Sequence, residues 1–192
     1  MEKLRNIFFI LASGSQRRID FLSSLDLNFR IEKSLYTENS ASFESATEYS
    51  LKNAYLKALS VAERNRNTLV AGFDTVVEIK GKVLGKPQDK TEACSMLREL
   101  SGKTHNVITA YCLINLERNI IKKEFVVTEV TFKSLENEEI EWYVNTKEPF
   151  DKAGAYAVQG IGAFMIKKIN GSYSNVVGLP LTEFLEDLSK FL

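Results

Sequence analysis

Cysteine, proline and histidine are scarce in this 192-residue chain, which has two, three and one of them. The two cysteines, Cys94 in a helical pattern and Cys112 in a strand pattern, are too few for a disulfide framework and read as reduced core residues of a cytoplasmic protein. Pro87, Pro149 and Pro180 are scattered, and no repeat or low-complexity linker interrupts the chain, so residues 1–192 are expected to form a single domain, with two lobes around one cleft. Net charge is missing as well, since 25 basic residues balance 25 acidic ones. No overall field draws such a chain onto nucleic acid or an anionic membrane, and any polyanion it binds must be small and held locally. The apolar run most like a secretory or membrane segment, Ile7–Ala12, has six residues and is followed by Gln16-Arg17-Arg18. It is too short and too charged behind for either role. Neither nucleic acid nor a membrane is an expected partner.

What the chain does have is 44% hydrophobic residues, enough for a sizeable core. Ile7–Ala12 reads as a buried strand, and Ile19, Phe21, Leu22 and Leu25 give the next segment a helical apolar face. From Glu44 to about Arg64, Leu51, Ala54, Tyr55, Ala58 and Ala62 form the stripe of a long amphipathic helix, with Lys57 on its border. Leu69–Ile79 is a β-branched run that turns at Lys80-Gly81 into Val83-Leu84. Thr91 or Asp89 caps a helix carrying Ala93, Met96, Leu97 and Leu100 and ended by Gly102. Val107–Ile114 and Glu124–Phe132 read as paired strands, Glu138–Val144 as a short helix, and Phe184, Leu185, Leu188 and Phe191 as a closing helix. Gly162–Ile169 and Tyr173–Val177 are expected to form a hairpin around Asn170-Gly171. Strands and helices interleave, so the class is α/β (α+β) with a mixed sheet.

Several polar residues stand where a purely structural design would not put them. Ser13-Gly14-Ser15-Gln16-Arg17-Arg18 places hydroxyls, backbone amides and two guanidiniums between a strand and a helix start, where anions bind readily. Arginine pairs with phosphate oxygens two at a time. A plain surface arginine pair is the alternative. Asp74 interrupts an apolar β-run in which aspartate is disfavoured, either as a carboxylate aimed into a cleft or as a bulge or strand-end cap. With Glu38 it would offer the hard oxygen ligands that magnesium prefers. Lys86, between Gly85 and Pro87, is presented rigidly or is an ordinary turn lysine. His105, the lone histidine, is expected to be a hydrogen-bonded structural residue. The Gln159-Gly160-Ile161-Gly162 stretch lacks the third glycine of a dinucleotide fingerprint. The Gln159 amide offers a donor beside an acceptor, matching the O4 and N3–H of uracil or thymine, and could equally satisfy buried backbone groups.

Together, Leu11–Arg18, Phe73–Val77, Gly85-Lys86-Pro87, Leu100–His105, Asp151–Tyr156 and Gly171-Ser172-Tyr173 with Asn175–Leu181 resemble, in order and across essentially the whole chain, the Maf family of nucleoside triphosphate pyrophosphatases. The resemblance implies a cytoplasmic enzyme, dependent on a divalent cation (Mg2+ or Mn2+), that splits a nucleoside triphosphate between the α and β phosphorus to give the monophosphate and pyrophosphate. It implies a twisted mixed β-sheet flanked by helices with a deep central cleft, as in inosine triphosphate pyrophosphatases, and a homodimer. Carried over from the family, Asp74 is the proton acceptor, with Lys57 and Lys86 as further catalytic residues. Ser13, Arg17, Arg18, Thr75, Lys152 and Gln159 hold the substrate, and Glu38 and Asp74 hold the metal. Arg17, Thr75 and Gln159 in combination resemble the branch acting on dTTP and UTP. The alternatives are a 7-methyl-GTP or other purine-directed pyrophosphatase, and a non-catalytic nucleotide-binding regulator of septum formation. The chain departs from the family pattern at Gln16, where a proline is usual, at Thr37, where an acidic residue is frequent, and at Phe73, where a small residue is common and which is expected to tighten the pocket beside Asp74.

Overall fold

A computed structural model describes residues 2–38 and 45–191. In chain order the elements are α1 (Glu2–Arg5), β1 (Phe9–Leu11), α2 (Gln16–Ser24), β2 (Phe29–Ile31), α3 (Ala46–Ala62), β3 (Leu69–Ile79), β4 (Lys82–Leu84), α4 (Lys90–Leu100), β5 (Thr104–Asn115), β6 (Ile120–Phe132), α5 (Asn137–Asn145), β7 (Ile166–Asn170), α6 (Tyr173–Val177) and α7 (Leu181–Ser189). Between α5 and β7 the chain makes 3-10 turns at Glu148–Asp151, Ala153–Ala155 and Ile161–Met165. The strands form one seven-stranded sheet in the order β2-β1-β3-β5-β6-β7, with β4 added on β3. β1 runs parallel to β2 and β3, whereas β3 with β4 and β6 with β7 are antiparallel, so the sheet is mixed.

The chain divides into two compact units, Met1–Asp74, Thr109–Val126 and Gly178–Leu192 in one, Thr75–Ile108 and Val127–Val177 in the other. In the first unit strand alternation sends residues to two faces of the sheet. Leu69, Ala71 and Phe73 of β3 join Phe9, Leu11, Tyr111, Leu22 and Phe184 in one cluster, against α2 and α7. Val70 joins Ile10, Ala12, Ala110 and Cys112 in the other, against Ala54, Ala58, Val61 and Ala62 of α3. The alanines leave α3 with almost no side-chain thickness on that face. Gly72 completes the fit, since a Cβ there would lie 2.5 Å from the Ala54 carbonyl oxygen and 2.7 Å from the Ala58 nitrogen. The Ser45 hydroxyl starts α3 by accepting Glu48 N–H at 3.1 Å; the sequence-based start at Glu44 lies outside the described residues.

The second unit has one core, built from Val77, Ile79, Leu84, Leu97, Leu100, Val130, Phe132, Tyr143, Tyr156 and Met165. Asp89, one of the two expected caps, accepts Glu92 N–H at 2.8 Å and starts α4. His105 is buried, shares a 2.8 Å hydrogen bond with the Tyr156 hydroxyl and packs edge-on against Phe132, the structural role expected of it. Burial lowers its pKa to about 4.

Three local expectations need correction or addition. The hairpin around Asn170-Gly171 is absent: Ile161–Met165 is a 3-10 turn, Ile166–Asn170 alone is a strand, and Tyr173–Val177 is helical. The β-branched valines there are overridden by side-chain hydrogen bonds. The Ser172 hydroxyl accepts Asn175 N–H at 3.3 Å, and the Asn175 amide donates to Val107 O at 3.1 Å and to Thr128 Oγ1 at 3.0 Å. Helix α1 and strand β2, four and three residues long, carry too little periodicity to be read from sequence. Phe73 faces away from Asp74, since adjacent strand residues point opposite ways, and its ring packs among Tyr111 and Phe184.

Candidate active site

Asp74 ends the first unit, two residues beyond Gly72 and on the same face of β3. Because Gly72 brings α3 so close, Asn53 and Lys57 of that helix reach the carboxylate. Lys57 Nζ lies 2.5 Å from Asp74 Oδ1 and Asn53 Nδ2 3.4 Å from Oδ2. The same ammonium lies 2.6 Å from Glu38 Oε1. Side-chain exposure grades outward, 5% for Asp74, 17% for Lys57 and 40% for Glu38. Asn53 is fully buried and held from behind, accepting the Tyr36 hydroxyl at 3.1 Å. Asp74 therefore does not cap the strand end, and its carboxylate is held by side chains of α3. It lies in the middle of β3, and burial pushes its carboxyl toward the protonated form while the Lys57 ammonium pulls it back. A desolvated carboxylate with raised proton affinity suits a general base near neutral pH. Glu38 and Asp74 converge on one cationic point, a donor set of hard oxygens that fits a divalent ion keeping most of its shell for water and phosphate. Among the described residues no three His, Cys, Asp or Glu side chains cluster as a fuller cage.

The loop before α2 is organised by the largely buried Ser13. Its hydroxyl accepts Ser15 N–H at 3.2 Å and the Arg18 Nη1 donor at 3.0 Å. Arg18 also donates from Nε to Gly178 O at 2.7 Å, and its guanidinium stands 5.4 Å from the centre of the Phe73 ring. Phe73 thus supports the arginine from beneath. Burial lowers the Arg18 pKa to about 10, with Asp74 acting in the opposite sense, so the group stays charged at neutral pH. Ser15 caps α2 without a side-chain bond, which leaves its hydroxyl out of competition for first-turn amides. Arg17 is half-buried in that first turn, and Gln16 bonds Asp20 one turn on at 2.8 Å.

Thr75, Lys86, Lys152 and Gln159 belong to the second unit. Thr75 is half-buried in β3, and Lys86 is exposed just before the buried Pro87. Gly154 N–H donates to Gly85 O at 3.0 Å, which ties the turn bearing Lys86 beside the one bearing Lys152. Only glycine fits at position 154, where φ is +67° and a Cβ would lie 2.9 Å from Val77 Cγ2. Lys152 pairs with Asp151 and reaches Glu148 O at 3.5 Å. Gln159 is exposed on the loop 157–162. Within the first unit, then, Glu38, Lys57 and Asp74 come together, as do Ser13 and Arg18; within the second, the Lys86 and Lys152 segments do, while Gln159 stands on a loop of its own.

The family model for "Maf-like protein" matches residues 8–191. The chain belongs to the Maf family. Among its relatives, the dTTP/UTP pyrophosphatase of Fusobacterium nucleatum is 47% identical over 181 residues, 94% of each chain. The dTTP/UTP pyrophosphatase of Geobacter sulfurreducens is 44% identical over 190 residues, 99% of this chain and 98% of that one. Among solved structures, the Ham1 protein of Staphylococcus aureus superposes with a TM-score of 0.47 at 14% identity, covering 65% of this chain and 71% of that one.

Residues of this Maf protein that sequence reasoning passed over are Asn53, Gly72, Tyr143 and Glu148. Asn53 carried a readable signal, a polar residue next to the apolar stripe and one turn before Lys57. Gly72 carried another, a glycine inside a strand beside an aspartate, which marks a close backbone approach.

Proposed function

We propose that this Maf protein hydrolyses dTTP and UTP between the α and β phosphorus to the nucleoside monophosphate and pyrophosphate. The observation that carries the chemistry is Asp74, buried and bridged by Lys57 to Glu38. The pyrimidine substrates follow from the near-full-length likeness to relatives bearing that activity as their name. Water bonds through oxygen to the α-phosphorus, its proton passes to Asp74, and the bond to the bridging oxygen breaks with its electron pair leaving on pyrophosphate. Lys57 holds Asp74 in place and keeps part of its charge available, and Asn53 fixes the second carboxylate oxygen. The family resemblance assigns Arg17, Arg18, Lys86 and Lys152 to the triphosphate, and Ser13 orients Arg18. The same resemblance assigns Thr75 and Gln159 to the base. A magnesium or manganese ion held by Glu38 and Asp74 would polarise the phosphate under attack and offset charge on the leaving group.

The partner is the free nucleotide, and the balanced charge gives no pull toward nucleic acid. No helix among the described residues is long and apolar enough to cross a membrane. A cytoplasmic location and a homodimer complete the reading, to be checked by fractionation and by sedimentation. The decisive experiment incubates the protein with UTP, dTTP, CTP, GTP and 7-methyl-GTP in magnesium and identifies the products. UMP and dTMP with pyrophosphate are expected; orthophosphate release, a purine preference or no turnover would overturn the proposal.

A further inference from the structure

Glu148 lies outside the triphosphate chemistry, yet its carboxylate accepts from three donors. Tyr143 Oη donates to Oε1 at 3.0 Å, Gly162 N–H to Oε1 at 2.9 Å and Ile161 N–H to Oε2 at 3.0 Å. The Tyr143 hydroxyl in turn accepts Ala157 N–H at 3.2 Å. Two side chains from the end of α5 and the following 3-10 turn therefore grip the loop 157–162 at both ends, and Gln159 stands exposed between the grips. The glycines record how tightly. A Cβ on Gly162 would lie 2.6 Å from both Ala157 O and Tyr143 Oη, and one on Gly160, where φ is +94°, would lie 2.8 Å from Glu148 Oε2.

We infer that Glu148 is a positioning residue for base selectivity, fixing the loop 157–162 so that the Gln159 amide is held at the edge of the base. This rests on Gln159 as the group that reads the base. Uracil offers an acceptor at O4 and a donor at N3, whereas cytosine offers a donor at N4 and an acceptor at N3. A glutamine turned over by half a revolution matches cytosine as well as it matched uracil. Either pairing needs the amide in the plane of the base and at bonding distance from its edge, so selectivity that rests on Gln159 is lost when the loop carrying it shifts, and charge-assisted bonds from a carboxylate to backbone amides hold that loop firmly.

The test is the ratio of kcat/KM for UTP to that for CTP, measured in Glu148→Gln, Gln159→Ala, Gly160→Ala and the double variant Glu148→Gln/Gln159→Ala. In Glu148→Gln one carboxylate oxygen becomes an NH2, which faces a loop donor with another donor. The ratio is expected to fall roughly tenfold, through KM for UTP, with kcat within about threefold of the parent. Gln159→Ala is expected to lower the ratio at least as far, and the double variant no further than Gln159→Ala. Gly160→Ala leaves Glu148 intact and lies on the exposed loop, so it reads loop position even if Glu148→Gln does not fold; a fall in the ratio is expected there too. A ratio unchanged in Glu148→Gln or in Gly160→Ala, beside a collapse in Gln159→Ala, overturns the role of Glu148. A loss of kcat on every nucleotide alike, with the ratio intact, overturns it also. A ratio unchanged in Gln159→Ala overturns instead the reading of Gln159 on which the inference rests.

Discussion

The Lys57–Asp74 pair of the first unit and the Lys86, Lys152 and Gln159 side chains of the second are mounted in opposite ways. In the first, Lys57 and Asp74 sit in a regular helix and strand, and Asp74 is buried. In the second, Lys86, Lys152 and Gln159 sit on turns and loops, the first and last of them exposed. In the function proposed above, the contrast follows from what each group must do. A proton acceptor gains affinity by losing water and needs a stiff frame to keep the charge compensated, whereas groups that recognise a mobile ligand must project from the surface on loops held at their ends.

Replacing Lys57 by Gln attacks the stiff side of that contrast. It leaves Asp74 buried without its cation, and kcat is expected to drop by about 10²–10³-fold in steady-state assays, with circular dichroism showing the fold retained. A drop below tenfold would mean that the pairing is structural ornament. Acid should expose the second unit. Folded His105 binds a proton less tightly, with a pKa of about 4, than the ordinary value of 6.5 expected in the unfolded chain. The unfolded state therefore takes up more protons between those values, and His105 contributes stability that is full above about pH 6.5 and is lost as pH falls toward 4. The loss is about 3 kcal/mol. Urea melts across that window should show it, and His105→Phe should flatten it. Gly72→Ala pushes α3 off β3 and is expected to cost about 2 kcal/mol in the same melts, with kcat lowered as Lys57 withdraws. Smallest is the thiol contrast. Cys112 is fully buried and pushed up to about 12, while Cys94 is only partly covered, so a thiol reagent should modify Cys94 alone until the protein is unfolded, with no change in activity.

Much of this was legible beforehand, because long periodic segments announce themselves. α3, β3, the turn at Gly81, α4 and the β5–β6 pair all lie where the apolar spacing put them. Asp74 and Lys57 were legible for the opposite reason, each being a polar residue breaking or bordering an apolar pattern. What stayed hidden depends on partners distant in sequence. The helical turn at Tyr173–Val177 needs Asn175 to find Val107 and Thr128, and the loop of Gln159 needs Glu148 and Tyr143. Phe73 meets the site through Arg18 on the other face of β3, a contact between residues far apart in the chain that the sequence does not display.

In the proposed reaction Asp74 takes the proton from a water that attacks the α-phosphorus. The most direct test of this step is turnover of UTP in 18O-labelled water by the parent protein and by Asp74→Asn, side by side, with both products weighed by mass spectrometry. The expected result is a single heavy oxygen in UMP, unlabelled pyrophosphate, and a rate about 10³-fold lower in the variant. Label in pyrophosphate or orthophosphate, or near-parental turnover by a folded Asp74→Asn protein, would contradict it.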